Sequence, residues 1–256
     1  MKLFIESHQK NIFKTLFNLL LCLIIIGSFI YYIVQNVGIQ LDFTFLLDYR
    51  IRLIDGFILT IGLSICSLIL SLVIGSMIAT GKLSKIIIVK MLCNGYVTFI
   101  RGTPLIMQIY LFYYIVGTAF GVENKFLAGV VILSVFESAY IAEIIRGSLL
   151  SIDKQQIEVA KSVGFSKKQT IQFVYLPQLF TRTLPALTGQ FASIIKDSSL
   201  LSIIAIIEIT QTMKEISATN LRLFEVYIAL GILYLLLTLP IDFLSKKLEK
   251  RFDYAR

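Results

Sequence analysis

Charge is scarce in this chain. Of 256 residues, 16% are Asp, Glu, Lys or Arg and 57% are hydrophobic, whereas a soluble domain carries about 25% charged residues. A large core alone does not explain that deficit. Histidine occurs once, at His8, which excludes multi-histidine metal sites and argues against histidine-based acid–base catalysis. Cysteine occurs three times, at Cys22, Cys66 and Cys93. The three have neither metal-ligand spacing nor the density of a disulfide framework, and they read as small packing residues. No G-x-x-x-x-G-K-[ST] sequence is present, so the chain carries no phosphate-binding loop of its own. No Pro/Gly/Ser-rich linker, internal repeat or polar stretch long enough to fold alone divides it.

What is present is long apolar runs. Thr15–Leu41 and Gly56–Gly81 hold no charged residue over 27 and 26 positions, and about 20 apolar residues suffice to cross a bilayer as a helix. The fold class is therefore an all-α polytopic membrane protein. An outer-membrane barrel is excluded, because its strands alternate polar and apolar residues over about 10 positions. The pattern predicts six spans, at roughly 15–35, 56–80, 103–121, 126–146, 184–207 and 225–244. Lys2, Lys10 and Lys14 precede the first in the manner of a signal peptide. Its apolar stretch is too long for one, and no small-residue cleavage site follows, so it reads as a retained anchor. For the third span, Thr103 is the expected cap and Pro104 suits the first turn, where a missing N–H costs nothing. Residues 84–100, with Lys85 and Lys90, are expected to form a short helix at the membrane surface.

Basic residues set the orientation. With the N-terminus inside, the segments 1–14, 81–102, 146–183 and 245–256 hold 18 of the 24 Lys and Arg residues, and the external segments hold 5: Arg50, Arg52, Lys125, Lys214 and Arg222. Such a bias places both termini in the cytoplasm. The net charge of +8 thus reflects basic cytoplasmic loops and lipid contact rather than nucleic-acid binding. Of these segments, 146–183 is the longest. Ser151 or Asp153 is positioned to cap a helix carrying Ile157, Ala160 and Lys161, Gly164 to end it in the left-handed conformation, and Pro177 to stop or kink a second amphipathic turn. A helix–turn–helix of this kind suits docking in a groove of a partner; a solvated basic loop on anionic lipid is the plainer reading.

Glu158-Val159-Ala160, Gly164 six residues after the glutamate, Val174 and Leu176-Pro177 resemble the EAA loop of permease subunits of ABC importers. Four further stretches resemble the polar amino-acid branch of that family. They are Arg101-Gly102-Thr103-Pro104-Leu105 with Gln108 and Tyr113-Tyr114; Ala139-Tyr140-Ile141-Ala142-Glu143 with Arg146-Gly147; Lys196-Asp197-Ser198-Ser199-Leu200; and Gly56…Thr60…Leu63-Ser64. The resemblance covers about residues 54–252. It implies a type I importer permease core of five common spans with an extra N-terminal span. The corresponding division is 1–52 for the N-terminal segment, anchor and external loop, and 53–256 for the permease domain, with a coupling loop at about 147–183. The family pattern implies that Glu158, Val159, Ala160, Gly164, Leu176 and Pro177 couple to an ATPase. It also implies a second permease subunit, identical or different, an extracytoplasmic solute-binding protein, and a bacterial cytoplasmic membrane. The chain itself would have no catalytic residue and no metal; ATP and Mg would act in the partner ATPase. The sequence departs from the family at Val159, where alanine is usual, at Asp153 and Gln155, where proline and glycine are common, and at Phe136-Glu137-Ser138, where asparagine and small residues are common.

Charges within the spans are the candidates for the substrate path. Insertion of an acidic group at a helix centre costs about 2.5–3.5 kcal/mol, so Glu137 is expected to face the bundle interior or water. It reads as a counter-charge for a substrate ammonium or guanidinium group, or as a partner in an internal hydrogen bond. A cationic amino acid, cystine or a neutral polar amino acid would fit. Lys196 and Asp197 are adjacent in the fifth span and diverge by about 100° on a helix, so each needs its own partner, on the path or at a gate or subunit contact. Gln108 can bond across helices or line the path. Glu143 and Arg146 read as an i,i+3 ion pair. Tyr110, Phe112, Tyr113 and Tyr114 read as packing or interfacial anchors. An ion-coupled secondary transporter using Glu137 and Asp197 as relays is the alternative from another class, although its paired repeats of broken helices are not evident.

Overall fold

The computed structural model describes residues 12–37 and 41–253. His8, Lys2 and Lys10 lie outside the described residues. The chain divides into two units, Met1–Phe43 and Thr44–Arg256.

The first unit contains helix α1, Ile12–Val37. It is apolar on every side: Leu16, Leu19, Leu23, Ile24 and Phe29 are all exposed. A helix of that kind needs lipid or protein around it. Its polar groups bond within the helix, Ser28 Oγ to the Ile25 carbonyl at 2.9 Å and Asn36 Nδ2 to the Tyr32 carbonyl at 2.8 Å, as an apolar solvent demands.

The second unit opens with a 3-10 turn, Thr44–Tyr49, that leads into α2, Arg50–Lys82. After α3, Ile87–Gly102, and α4, Leu105–Tyr110, comes α5, Lys125–Leu150. The buried positions of α2 include Gly56, Thr60, Ser64, Ser67, Ser71, Gly75 and Ala79, a stripe of small residues three or four apart. Lipid tails offer no hydrophobic drive for helix association, so close backbone approach and interhelical hydrogen bonds carry it. Both appear between α2 and α5. Ser134 Oγ donates to the Ser67 carbonyl at 3.2 Å, and Ser67 Oγ to the Val130 carbonyl at 3.4 Å. A β-carbon at Gly75 would lie 2.8 Å from Ile141 Cγ2 and 3.0 Å from the Ser138 carbonyl oxygen, so only glycine fits there. The contacts advance together along both chains, which makes the two helices parallel. Among the described residues, three stretches, Thr44–Lys82, Lys125–Leu150 and Leu223–Phe252, are long and apolar enough to cross a membrane.

The α3–α4 pair adds a fourth if it is counted as one bent span. The two arms, Ile87–Gly102 and Leu105–Gly117, meet at 112°. Pro104 lies at this break, and the end of the second arm is a π turn, Leu111–Gly117. Thr103 does not cap α4 as expected. Its hydroxyl donates back to the Phe99 carbonyl at 2.8 Å, closing α3 instead. Tyr96 of α3 reaches α5, donating to the Val135 carbonyl at 2.6 Å.

Three short elements follow α5: α6, Lys154–Ser162; α7, Lys167–Thr170; and a π turn, Ile171–Tyr175, that runs directly into α8, Leu176–Asp197. Pro177 therefore does not stop the helix. It falls in the first turn of α8, where no N–H is needed, and the π turn before it absorbs the change of register. The span expected at 184–207 is divided: α8 ends at Asp197, a 3-10 turn covers Ser198–Ile204, and Ala205 takes a left-handed φ of 54°. Helices α9, Ile209–Asn220, and α10, Leu223–Asp253, complete the unit. Ile209, Met213, Ile216, Val226 and Leu230 form a second apolar cluster there. Of the cysteines, Cys93 is packed as expected, while Cys22 and Cys66 lie on exposed faces.

Candidate functional site

Two groups of side chains stand out, one inside the bundle and one at the end that carries the 151–175 loop. Inside, α5 supplies Glu137 and α8 supplies Gln190 and Asp197. Seven residues is two helical turns, so Gln190 and Asp197 share a face of α8. Glu137 is fully buried. The Gln190 amide donates to Glu137 Oε2. Glu137 Oε1 is buried and has no N–H or hydroxyl donor among the described residues, and the Asp197 carboxyl lies within hydrogen-bonding reach of Glu137. Two facing carboxyls in a low-dielectric interior repel unless a proton or a cation lies between them. The arrangement can therefore receive a small cationic donor, an ammonium or a guanidinium.

The other expected path residues are elsewhere. Lys196 is exposed on the last turn of α8, pointing away from its neighbour as helix geometry requires. Gln108 is buried at the α3–α4 bend, where its amide donates to the Ile100 carbonyl and to Thr103 Oγ1, both at 2.8 Å. It satisfies carbonyls that the break leaves without partners, and its own Oε1 receives no donor among the described residues. Gln190 was not expected. The signal for it is its spacing: a half-buried amide seven residues before Asp197, in a helix whose buried positions are apolar or small.

At the loop, Asp153 caps α6, its Oδ1 accepting from the Gln155 N–H at 2.9 Å; Ser151 does not. Gly164 takes φ of 81° and closes α6 with paired bonds, Phe165 N–H to the Ala160 carbonyl at 2.9 Å and Gly164 N–H to the Lys161 carbonyl at 3.0 Å. That is the Schellman arrangement, and a residue with a β-carbon is strained in it. Ala160 is the only buried residue of α6, while Glu158, Val159 and Val163 face outward. Ser166 and Gln169 then form a reciprocal capping box that starts α7. Leu176 and Pro177 are exposed on the first turn of α8. The loop thus presents apolar side chains and the Glu158 carboxylate among the exposed Lys154, Lys161, Lys167 and Lys168, on a well-capped frame. Where α5 enters it, Glu143 accepts from Arg146 Nη2 at 2.7 Å, as the i,i+3 spacing suggests, and also from Lys82 of α2.

The family model described as "Binding-protein-dependent transport system inner membrane component" matches residues 71–254, more than half of the chain. The chain belongs to this family. The Probable glutamine ABC transporter permease protein GlnM of Bacillus subtilis is 33% identical over 216 residues, covering 83% of this chain and 100% of that protein. The glutamine transport system permease protein GlnP of Escherichia coli is 36% identical over 201 residues, covering 78% and 92%. The L-cystine transport system permease protein TcyB of Bacillus subtilis is 34% identical over 200 residues, covering 77% and 85%. A solved structure described as the crystal structure of an amino acid ABC transporter with histidines has a TM-score of 0.76 at 33% identity, covering 83% of this chain and 100% of that one. An inward-facing MetNI methionine ABC transporter shares the fold, with a TM-score of 0.65 at 18% identity and coverage of 80% and 98%. The motif resemblance is borne out. The chain is a non-catalytic permease subunit of an amino-acid ABC importer, a multi-pass inner-membrane protein of the type I fold, and its family implies an ATPase partner. The ion-coupled alternative gains no support.

Proposed function

We propose that this permease subunit imports a polar amino acid whose cationic group passes between Glu137 and Asp197. The observation that carries the reading is the buried pairing of Glu137 with a second carboxyl, Asp197, with no N–H or hydroxyl donor on Glu137 Oε1 among the described residues. An α-ammonium is common to the glutamine and cystine named for its relatives, and a guanidinium or a second ammonium in an arginine- or lysine-like substrate would answer the same carboxyls. Both termini face the cytoplasm, as the basic loops require. Two permease subunits, identical or different, pair to form the path, and an extracytoplasmic binding protein delivers the substrate.

ATPase subunits, which bind the ATP and Mg, dock on Glu158, Val159 and their neighbours, with Ala160 and Gly164 fixing the frame beneath and Leu176 and Pro177 bounding it. ATP binding and hydrolysis then bias the two conformations of the permease pair by differential contact with this loop. Purification of the tagged chain from its native membrane in mild detergent tests the assembly. A stoichiometric subunit with a phosphate-binding loop is expected, and a second permease sequence in the complex would make it a heteromer. The chain alone, under conditions that keep other importer complexes intact, overturns the reading.

A further inference from the structure

One side chain ties the two ends of the loop together. Arg182, two turns into α8, sends Nη1 to both the backbone carbonyl and the hydroxyl of Ser151, the latter at 2.6 Å, and Nη2 to Gln178 Oε1 at 3.1 Å. Gln178 Nε2 donates in turn to Gln156 Oε1 of α6 at 2.6 Å and to the Val174 carbonyl, inside the π turn, at 3.1 Å. The path from 151 to 182 thus closes on itself through two side chains, with α6 fastened inside the ring.

The placement has a physical basis. Ser151 is the C-cap of α5, and the last carbonyls of a helix lack intrahelical donors and carry the negative end of its dipole. A guanidinium supplies charge and several fixed N–H groups at once, which a lysine ammonium does not do in one plane. Beyond Arg182, α8 continues to Gln190 and Asp197. The proline within it, Pro185, is braced from α10 by Ser245 Oγ, which donates to its carbonyl at 3.0 Å.

We infer that Arg182 is a positioning residue: by holding Ser151 and orienting Gln178 toward Gln156, it makes α6 and α8 move as one body, so that a displacement applied at α6 arrives at Gln190 and Asp197. The inference rests on the proposed docking of an ATPase at α6 for its functional consequence, but the mechanical tie does not depend on that docking. Without Arg182, α8 loses its bonds to Ser151 at the end of α5, Gln178 loses the guanidinium that orients it toward Gln156 of α6, and the turn at Ser151–Ile152 gives way before α8 moves.

Two measurements test this. In proteoliposomes holding the permease, its ATPase and its binding protein, substrate taken up per ATP hydrolysed is expected to fall about tenfold in Arg182→Ala, with subunit stoichiometry unchanged. Arg182→Lys recovers part of the ratio, since an ammonium still reaches Ser151. Gln156→Ala, at an exposed position, lowers the ratio several-fold. An unchanged ratio in Arg182→Ala, or in Gln156→Ala if the first variant fails to assemble, overturns the coupling role. The second measurement needs no ATPase. Spin labels at Lys154→Cys and Ala186→Cys, with the three native cysteines replaced by alanine, report the α6–α8 distance in the permease alone. A narrow distribution that broadens in Arg182→Ala is expected; one that stays narrow refutes the tie, whatever becomes of the docking surface.

Discussion

Glu143 and Glu137 lie six residues apart on α5, yet one has its carboxylate oxygens bound by two cations, while the other has a second carboxyl for a neighbour and one oxygen without an N–H or hydroxyl donor among the described residues. Glu143 faces Lys82 and Arg146, partly open to solvent at the loop end. Glu137 is sealed in the bundle with a single amide donor and a second carboxyl. The first is what a structural ion cluster looks like: two cations share one carboxylate. The second is incomplete by the standards of a membrane interior, where an unanswered polar group costs several kcal/mol. Under the proposed function, this is where the cargo supplies a cationic donor.

The comparison can be broken from either side. Glu143→Ala strands Lys82 and Arg146. Loss of one partner from a fully buried pair costs about 3–5 kcal/mol, and partial exposure reduces this to about 1–3 kcal/mol. The expected result is a clear drop in the melting temperature of the purified permease, with substrate preference unaltered. A shifted preference would make Glu143 part of the path.

Gly164→Val forces a β-branched side chain into left-handed backbone at a cost of about 1–2 kcal/mol, all of it local to the end of α6, since nothing lies within 4 Å of a β-carbon built there. Membrane insertion is expected to be normal and uptake to fall to background, whereas Gly164→Asn, which tolerates that conformation, retains most of it. Normal uptake in Gly164→Val would remove the loop from the coupling account. The smallest effect belongs to Ser67→Ala. The bond it removes is 3.4 Å long, and interhelical bonds of this kind average about 0.6 kcal/mol. Thermal stability should change little and uptake not at all; a large loss would mean that the α2–α5 contact is held by hydroxyls rather than by close approach at Gly75.

Local chemistry was legible in the sequence. The Asp153 cap (one of two the sequence offers, with Ser151), the left-handed Gly164, the Glu143–Arg146 pair and the apolar runs at 56–80, 126–146 and 225–244 follow from interactions within a few residues and stand where expected, whereas the run at 184–207 breaks at Asp197. What was not legible depends on partners distant in the chain. Gln190 meets Glu137 across 53 residues and Lys82 meets Glu143 across 61, and no spacing rule reaches so far. Thr103 and Pro177 were misread for a different reason. Each sits at a junction where two helices compete for one residue: the hydroxyl of Thr103 went to the helix behind it, and a π turn let the chain pass Pro177 without a break.

The most direct test of the central claim is a binding cycle on the reconstituted complex. An amino acid that it transports and the same molecule lacking the amino group are compared in wild type and in Glu137→Gln. The amino acid is expected to lose about 10–100-fold in affinity, which is about 1.4–2.7 kcal/mol, while the deamino analogue, already weak, is indifferent to the substitution. Equal losses for both ligands, or none for either, would show that Glu137 answers to the protein and not to the substrate.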